Sequence, residues 1–239
     1  MKILIAGGAG YIGSALVPSL LDLGYQVVVL DLLWFGNHLP KNVKIIQKDV
    51  MDLKQNELNG FDQVIFLAGL SNDPMADFSP SQNFVFNAAA PAFLGYLSKK
   101  AGVRRFIYAG SCSVYGYTLN KLYDENSPTI SNYPYGISKL QGEQAVMKMA
   151  DEHFSVISLR QGTVSGYSPR MRLDLVVNAM FKSAILDQEI TVNNPAIWRP
   201  VLNINDATNA YIKSIEAQDN ISGIFNIASG NFTVGEIGD

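Results

Sequence analysis

The stretch ILIAGGAGYIG, residues 3–13, decides how the chain folds. Its first four residues are apolar and predict a buried strand, while the glycines after them end that pattern just before a helical pattern begins. Gly7, Gly10 and Gly13 have no side chain. They therefore permit a tight turn, let the backbone approach a pyrophosphate and let the helix lie close to the strand. The stretch therefore predicts a strand–turn–helix unit that binds a dinucleotide.

An acidic residue strengthens this interpretation. Asp31 ends the second predicted strand, 18 residues after Gly13, where a carboxylate accepts hydrogen bonds from the adenosine ribose. A 2′-phosphate would meet like charge there, and no arginine follows in the stretch DLLWFGNH, residues 31–38. The sequence therefore favours NAD over NADP. The alternative is that Asp31 is an ordinary aspartate in the turn after a strand.

Short apolar runs alternate with longer helical patterns over the first two thirds of the chain. Runs without polar alternation are typical of strands buried on both faces of a parallel sheet. The alternation predicts an α/β fold with a doubly wound parallel sheet and right-handed crossovers. We predict strands at 3–6, 26–30, 43–47, 63–68, 105–109 and 155–159, and helices at 11–23, 80–100 and 135–151.

The rhythm changes after about residue 165. A helix is predicted at 173–186, then an irregular stretch at 190–206 and another helix at 206–217. We expect residues 1–165 to form the dinucleotide-binding domain with the catalytic residues. Residues 166–239 should form mainly a small substrate-binding lobe, with a part that returns to the sheet. Thr233 and Glu236 have the spacing of a capping box, so we expect the lobe to continue past Asp239.

Composition excludes several classes of protein. The chain of 239 residues is 48% apolar and 16% charged with a formal charge of −3, which indicates a globular protein without a basic surface for nucleic acid. No uninterrupted apolar run reaches the 18 residues of a membrane span. The single cysteine, Cys112, suits the reducing cytoplasm. His38 and His153 lack the spacing of metal ligands, so no metal is expected.

Hydroxyl side chains cluster in SCSVYG, residues 111–116, after the strand predicted at 105–109. A serine nucleophile needs a general base, but no histidine lies near in the sequence. In YPYGISK, residues 133–139, Tyr135 and Lys139 are four apart and share a helix face. A neighbouring ammonium and a positive nicotinamide lower a phenol pKa from its usual value of about 10. Ser111, at a ligand-binding position of the sheet, can contact the same reacting oxygen.

The motifs GGAGYIG, SCSVYG and YPYGISK, in this order, resemble those of the extended short-chain dehydrogenase/reductase family. More narrowly, they are similar to its NAD-dependent nucleotide-sugar epimerases and dehydratases. The resemblance runs from Met1 to about Gly230. It implies a Rossmann-type fold, NAD as cofactor, a nucleotide-diphosphate sugar as substrate, and a catalytic trio of Ser111, Tyr135 and Lys139.

The resemblance also implies binding residues. Arg199, in WRPVLNIND, matches an arginine that grips the pyrophosphate of the nucleotide, a task suited to its forked guanidinium. Ser71 and Ser113 are expected beside the substrate. The expected cofactor-binding residues are Gly7, Gly10, Tyr11, Ile12, Gly13, Asp31, Asp49, Val50, Leu67, Ala68, Gly69, Asn87, Tyr135 and Lys139.

Several positions depart from the family pattern. Ser71 stands where some 4-epimerases carry a lysine near the cofactor, Thr163 where many members carry an asparagine, and Asn203 where a histidine is usual. These departures leave the sugar and the base open. The stretch PRMR, residues 169–172, either contacts phosphates or is the solvated start of a helix. Cys112 is expected to be a buried filler rather than a reactive thiol.

The reaction is predicted from the residues that follow Ser111. A dehydratase must protonate a leaving oxygen and remove a carbon-bound proton, and the resembling dehydratases use an Asp-Glu pair for this. This chain has Cys112 and Ser113 there, so we predict epimerisation through a transient keto-sugar. Dehydration, decarboxylation and ketone reduction are the alternatives within the family. A non-catalytic NAD-binding sensor is another, although such proteins typically lose the Tyr–Lys pair.

A homodimer is expected from two predicted helices. The helices at 80–100 and 135–151 resemble those that pair into a four-helix interface in family members. Burial in the core of the protein itself would give the same apolar pattern, which consists of Phe84, Phe86, Phe93, Leu94, Leu97, Val146 and Met147.

Overall fold

The structure, a computed structural model, describes residues 1–116 and 121–239. The strands in these residues are β1 Lys2–Ala6, β2 Gln26–Asp31, β3 Lys44–Gln47, β4 Gln63–Phe66, β5 Arg105–Ser111, β6 Ser155–Gln161, β7 Thr163–Ser165, β8 Trp198–Asn203, β9 Gly223–Ile227 and β10 Gly230–Thr233. The helices are α1 Tyr11–Asp22, α2 Asp73–Phe78, α3 Pro80–Phe84, α4 Ala90–Lys100, α5 Pro134–Met147, α6 Val176–Leu186, α7 Ile204–Glu216 and α8 Val234–Gly238. A π-helical turn, Val85–Ala89, joins α3 to α4. No helix in the described ranges is long and apolar enough to cross a membrane.

Seven strands form one parallel sheet in the order β3-β2-β1-β4-β5-β6-β9. From β1, the chain first adds β2 and β3 on one side and then β4, β5 and β6 on the other. The direction of the strand order therefore reverses between the parallel neighbours β1 and β4. A crevice at the carboxyl ends of such strands is where α/β sheets bind ligands. A second, small sheet has the order β10-β8-β7. The predicted doubly wound α/β fold is confirmed.

Side chains of successive strand residues point to opposite faces of the sheet, so the sheet has two cores. On one face, Leu4 and Phe106 pack with Leu94 of α4 and Val146 of α5. On the other face, Ile3 and Ile107 belong to the cluster that contains residues of α1 and α7, namely Leu16, Leu20, Tyr211 and Ile215. Helices α4 and α5 therefore cover one face of the sheet, and α1 and α7 cover the other.

The six predicted strands and five predicted helices are confirmed with shifted ends. The strand predicted at 105–109 continues to Ser111, so that this serine is the last residue of β5. The prediction that residues 190–206 are irregular is wrong, because β8 lies within them. Its partners β7 and β10 are distant in the sequence, so no local pattern reveals the pairing. Helix α2 and strands β7, β9 and β10 were also not predicted.

The predicted capping box is confirmed at the start of α8. The Glu236 carboxylate accepts a hydrogen bond from the Thr233 N–H at 2.7 Å, and the Thr233 hydroxyl accepts one from the Glu236 N–H at 3.2 Å. Each residue thus satisfies a free backbone N–H of the other at the helix end.

A fully buried arginine, Arg105, joins α7 to the start of β5. Its guanidinium donates to the carbonyls of Ser214 and Ala217, both at 2.8 Å, and of Gln218 at 2.6 Å. It also donates to the Ser155 hydroxyl at 2.8 Å. A cation at the C-terminus of a helix satisfies carbonyls that have no partner within the helix.

We predict that Arg105→Met lowers the free energy of unfolding by about 3 kcal/mol, because it leaves these carbonyls buried without a donor. Urea unfolding measures the change. The matched control is Arg104→Met, since Arg104 is half exposed and pairs with Asp62 and Asp219 at the surface. It should cost less than about 1 kcal/mol. Equal losses in the two variants would contradict this role of Arg105.

Candidate active site

The glycine turn between β1 and α1 leaves no room for side chains. Gly7 has a φ of +78°, and a Cβ there would overlap the Ala68 backbone. A Cβ on Gly13 would overlap the carbonyl of Gly8. Helix α1 begins after Gly10, and no side chain among the described residues caps it. Free N–H groups and the positive end of the helix dipole fit a pyrophosphate at this turn.

Asp31 holds this turn from the end of β2. Its Oδ2 accepts a hydrogen bond from the Ala9 N–H at 2.9 Å, and its Oδ1 accepts one from the Leu33 N–H at 2.8 Å. Each carboxylate oxygen accepts more than one hydrogen bond, so the same side chain can also bind ribose hydroxyls. Both interpretations of this residue from the sequence are therefore physically compatible.

The side chains of Tyr11 and Ile12, the first two residues of α1, face the protein rather than the crevice. The Tyr11 hydroxyl donates to the Gly166 carbonyl at 2.6 Å and accepts from Asn178 Nδ2 at 3.0 Å. Ile12 packs against apolar residues of the core. Tyr11 and Ile12 can therefore contribute only backbone groups to a cofactor.

Other expected cofactor residues lie along the same edge of the sheet. Asp49 begins a short turn, where its Oδ1 accepts from the Met51 N–H at 2.9 Å, and Val50 beside it is buried. Leu67, Ala68 and Gly69 directly follow β4. Gly69 has a φ of +153° and its backbone is exposed. This arrangement leaves the segment 67–69 accessible at the carboxyl end of the sheet.

Asn87 supports this segment through the hydrogen bonds of its side-chain amide. Its Nδ2 donates to the Leu70 carbonyl at 2.7 Å, to Asn83 Oδ1 at 2.8 Å and to the Ser138 hydroxyl at 3.3 Å. A Cβ on Gly69 would overlap Asn87 Oδ1. That oxygen is buried and has no hydrogen-bond partner within residues 1–116 and 121–239.

Ser111 and Tyr135 come together at the end of β5. The Ser111 hydroxyl lies near enough to the Tyr135 phenol to lower its pKa, and it accepts a hydrogen bond from the Ser113 N–H at 3.1 Å. Tyr135 lies in the first turn of α5, and Lys139 lies one turn later. The Lys139 ammonium is 4.5 Å from the centre of the Tyr108 ring. The predicted spacing thus places all three side chains on neighbouring parts of one site.

Two charged side chains act on the pKa of the Tyr135 phenol. Burial raises the pKa of Tyr135, and the Asp73 carboxylate raises it further. The opposing influences are the nearby Ser111 hydroxyl and the Arg172 guanidinium, which both lower this pKa. Burial also lowers the pKa of Lys139 to about 7, against the effect of Glu143. The effect of Lys139 on the pKa of Tyr135 stays a prediction.

The contact between Ser71 and Arg172, the last residue of PRMR, was not predicted from the sequence. The Arg172 guanidinium donates to the Ser71 hydroxyl and to Asp174, and Asn72 Nδ2 donates to Asp174 at 3.0 Å. A cation therefore lies at the position where some 4-epimerases carry a lysine. Arg172 is 101 residues from Ser71, so no spacing could have indicated this pair.

Asp73 is a residue that the sequence analysis missed. Its Oδ1 is buried and has no hydrogen-bond partner among the described residues, and burial raises the pKa of its carboxyl. Asp77 raises that pKa as well, whereas Arg199 lowers it. A carboxyl with a raised pKa beside other charged groups is typical of functional sites.

The expected substrate residues lie at different depths. Ser113 is half-buried in the turn after β5, and Arg199 is exposed on β8. A cavity of about 450 Å³ lies between the turn after β5, the start of α5 and the small lobe, lined by Gly116, Ile130, Asn132, Tyr133, Asn194 and Ile197. This volume is adequate for part of a small-molecule ligand.

Cys112 behaves as expected for a filler. Its thiol donates to the Arg160 carbonyl at 3.3 Å, and burial raises its pKa to about 12. The thiol is therefore neutral at physiological pH and is neither a nucleophile nor a base.

Known proteins resemble the chain over nearly its full length. The UDP-glucose 4-epimerase of Neisseria meningitidis serogroup C is 27% identical over 96% of this chain and 78% of that protein. The structure of MoeE5 in complex with UDP-glucuronic acid and NAD has a TM-score of 0.87 and 28% identity, covering 99% of this chain and 80% of that one. TunA, an NAD-dependent NDP-hexosamine 5,6-dehydratase, has a TM-score of 0.88 and 25% identity, covering 98% and 78%.

A family model decides the assignment. Residues 3–228 match the NAD-dependent epimerase/dehydratase family, which confirms the resemblance found in the sequence and the prediction of NAD as cofactor. Since the glycine turn, the Ser111–Tyr135 pair and Lys139 all lie within the matched residues, the chain belongs to the NAD-dependent epimerase/dehydratase family.

Proposed function

We propose that this protein is an NAD-dependent epimerase of a nucleotide-diphosphate sugar. The observation that carries the proposal is the proximity of Ser111, the last residue of β5, to the Tyr135 phenol in the first turn of α5, at the end of the sheet where the glycine turn also lies. We assign the catalytic role to Ser111, Tyr135 and Lys139. The expected residues of the turn and of segment 67–69 are proposed to hold the cofactor, with Asn87 as the support of that segment.

In this mechanism Tyr135 takes the proton of a sugar hydroxyl and Ser111 holds the same oxygen by a hydrogen bond. Bound NAD would supply a reversible hydride acceptor for the sugar carbon, so that no net redox change results. The transient keto-sugar would turn over in the site, so that the hydride returns to the opposite face of the same carbon while Tyr135 gives the proton back to the oxygen. Lys139, one helical turn after Tyr135, is proposed to hold the nicotinamide ribose.

Dehydration is the second candidate, and one observation favours it. Cys112 and Ser113 provide neither acid nor base, which argues for epimerisation. However, Asp73 has a buried carboxyl oxygen without a partner in the described residues, and it acts on the Tyr135 phenol. A carboxyl in this position can exchange a proton with a sugar, as dehydration requires.

The substrate class follows from charge and space. Arg199, on the exposed face of β8, is proposed to bind the diphosphate, and Ser71 and Ser113 the sugar. The cavity of about 450 Å³ beside Tyr133 is proposed to admit part of the ligand. Relatives named for UDP-glucose and UDP-glucuronic acid favour a uridine nucleotide.

We also propose a location in the cytoplasm. The free thiol of Cys112 agrees with such a reducing compartment.

We predict that the protein, incubated with NAD and a panel of nucleotide sugars, forms an isomer of unchanged mass. Mass spectrometry and NMR identify the product. Tyr135→Phe should lose most turnover, because the base is missing, and should keep NAD binding nearly intact. A product lighter by one water would show that dehydration is the reaction. Unchanged turnover in Tyr135→Phe would contradict the mechanism and favour the non-catalytic sensor.

The charges beside Tyr135 predict opposite shifts of the pH–rate profile. Asp73→Asn removes a negative charge, lowers the pKa of Tyr135 and should move the acidic limb of kcat/KM to lower pH. Arg172→Met removes a positive charge, raises that pKa and should move the limb to higher pH. If the acidic limb shifted in the same direction in both variants, this arrangement of charges would be contradicted.

We also propose a homodimer, through a narrower surface than the sequence indicates. Leu94, Leu97 and Val146 are buried in the core of this chain, so they are not available to a partner. Val85 and Tyr96, on the same helical region, are 41% and 53% exposed. They lie on the side of the sheet covered by α4 and α5.

We predict that Tyr96→Asp weakens the dimer, since it places a charge in the proposed interface. Sedimentation velocity at micromolar concentration measures the oligomeric state. Leu23→Asp is the control, because Leu23 is similarly exposed but follows α1 on the opposite side of the sheet. A wild-type protein that sediments only as a monomer would refute the dimer.

A further inference from the structure

The segment 166–172, between β7 and α6, is anchored to the first turn of α1. The Tyr11 hydroxyl donates to the Gly166 carbonyl at 2.6 Å. The hydroxyl of Ser168, which is fully buried, donates to the Tyr11 carbonyl at 2.7 Å. These two hydrogen bonds fix the segment beside the end of α1 that faces the glycine turn.

This segment carries Arg170 to the adenosine side of the crevice. The Arg170 guanidinium carbon is 3.9 Å from the centre of the Phe35 ring, a stacking distance for arginine on an aromatic face. Phe35 is 60% exposed and follows Asp31 by four residues. The Asp31 carboxylate is near enough to raise the pKa of Arg170, although burial lowers it more.

The charge of Arg170 is not balanced by an ion pair. No carboxylate in residues 1–116 or 121–239 lies within salt-bridge distance of it, whereas Arg172 pairs with Asp174. A guanidinium has five N–H donors, and Arg170 uses one of them on the Met171 carbonyl at 3.3 Å. A partly desolvated cation with free donors in a planar fork is suited to a phosphate.

The position of Arg170 indicates which phosphate. The free N–H groups of α1 follow Gly10. Asp31, the candidate for binding the ribose, ends β2 and accepts a hydrogen bond from the Ala9 N–H. A dinucleotide that extends from Asp31 to the α1 N-terminus places its adenosine-side phosphate between them. Arg170, on the segment 166–172, stacks on Phe35 and lies near Asp31, at the adenosine end of this path.

We propose that Arg170 binds the adenosine-side phosphate of NAD and closes the cofactor site from the lobe. This inference rests on the use of NAD by the protein, but not on the reaction catalysed. The same guanidinium chemistry would suit the 2′-phosphate of NADP, which the nearby Asp31 carboxylate disfavours by like charge.

Calorimetric titration of cofactor-free protein tests the proposal, with NAD, ADP-ribose, NADP and adenosine as ligands. Arg170→Met should bind NAD and ADP-ribose roughly tenfold to a hundredfold more weakly, the effect of a lost charge-assisted hydrogen bond. Adenosine, which has no phosphate, should bind equally well to both proteins. Arg170→Lys should restore part of the affinity, and Arg104→Met, a surface arginine away from the site, should match the wild type.

Each other outcome overturns the proposal. A change of less than about twofold for NAD, or an equal loss for adenosine, would show that Arg170 does not contact this phosphate. A loss confined to NADP would assign Arg170 to the 2′-phosphate. A wild type that binds NAD and forms the isomer, with Arg170→Met equal to it, would refute this inference alone. A wild type that binds no NAD would refute the proposed function together with it.

Discussion

The buried amide of Asn87 is the interaction on which both halves of the site depend. Its Nδ2 donates to the Leu70 carbonyl, just after the segment proposed to pass the cofactor, and to Ser138 of the catalytic helix. The backbone carbonyl of Asn87 accepts a hydrogen bond from the Tyr108 hydroxyl at 3.2 Å. Helix α5 approaches this backbone carbonyl so closely that Gly142 has no room for a Cβ. The π-helical turn that holds Asn87 inserts an irregular turn at this contact, as π turns at functional sites do. Cofactor segment and catalytic helix are therefore fixed relative to each other by one side chain.

The charges of the site depend on groups that lie outside it. Burial opposes the charge of Lys139, and Glu143 on the next turn of α5 supports it. Glu143 is buried too, and it pairs with Arg160 at 2.6 Å and accepts a hydrogen bond from the Ser158 hydroxyl at 2.8 Å. Breaking such a pair would leave an uncompensated buried charge beside Lys139. The Arg160–Glu143 pair thus acts on the catalytic helix without contacting the reacting groups.

The sequence predicted those parts of the site whose geometry is local. The glycine turn, Ser111 at the end of a strand, and Tyr135 with Lys139 on one helix face all follow from spacing and element order. The positions of Arg172 and Asp73 near Tyr135 were not predicted, because the fold brings these residues to Tyr135 from distant segments. The strand β8 was missed for the same reason, since its pairing with β7 and β10 is set by tertiary structure. The apolar helix pattern was ambiguous because burial in the core and burial in a dimer require the same residues, and only the exposed fractions separate Tyr96 from Leu94.

Hydrogen bonds join the small lobe to the first turn of α1, directly after the glycine turn. Tyr11, in the first turn of α1, bonds to Gly166 and to Asn178 of α6, and Ser168 bonds back to Tyr11. The lobe supplies Arg172 beside Ser71 and also carries Arg199, the proposed ligand of the diphosphate. An epimerase must let a keto-sugar turn while its cofactor stays in place, because a cofactor lost after the first hydride transfer cannot return that hydride. A lobe bonded to the glycine turn meets this requirement, since the groups proposed to hold the nucleotide sugar cannot move far without the turn proposed to hold the dinucleotide.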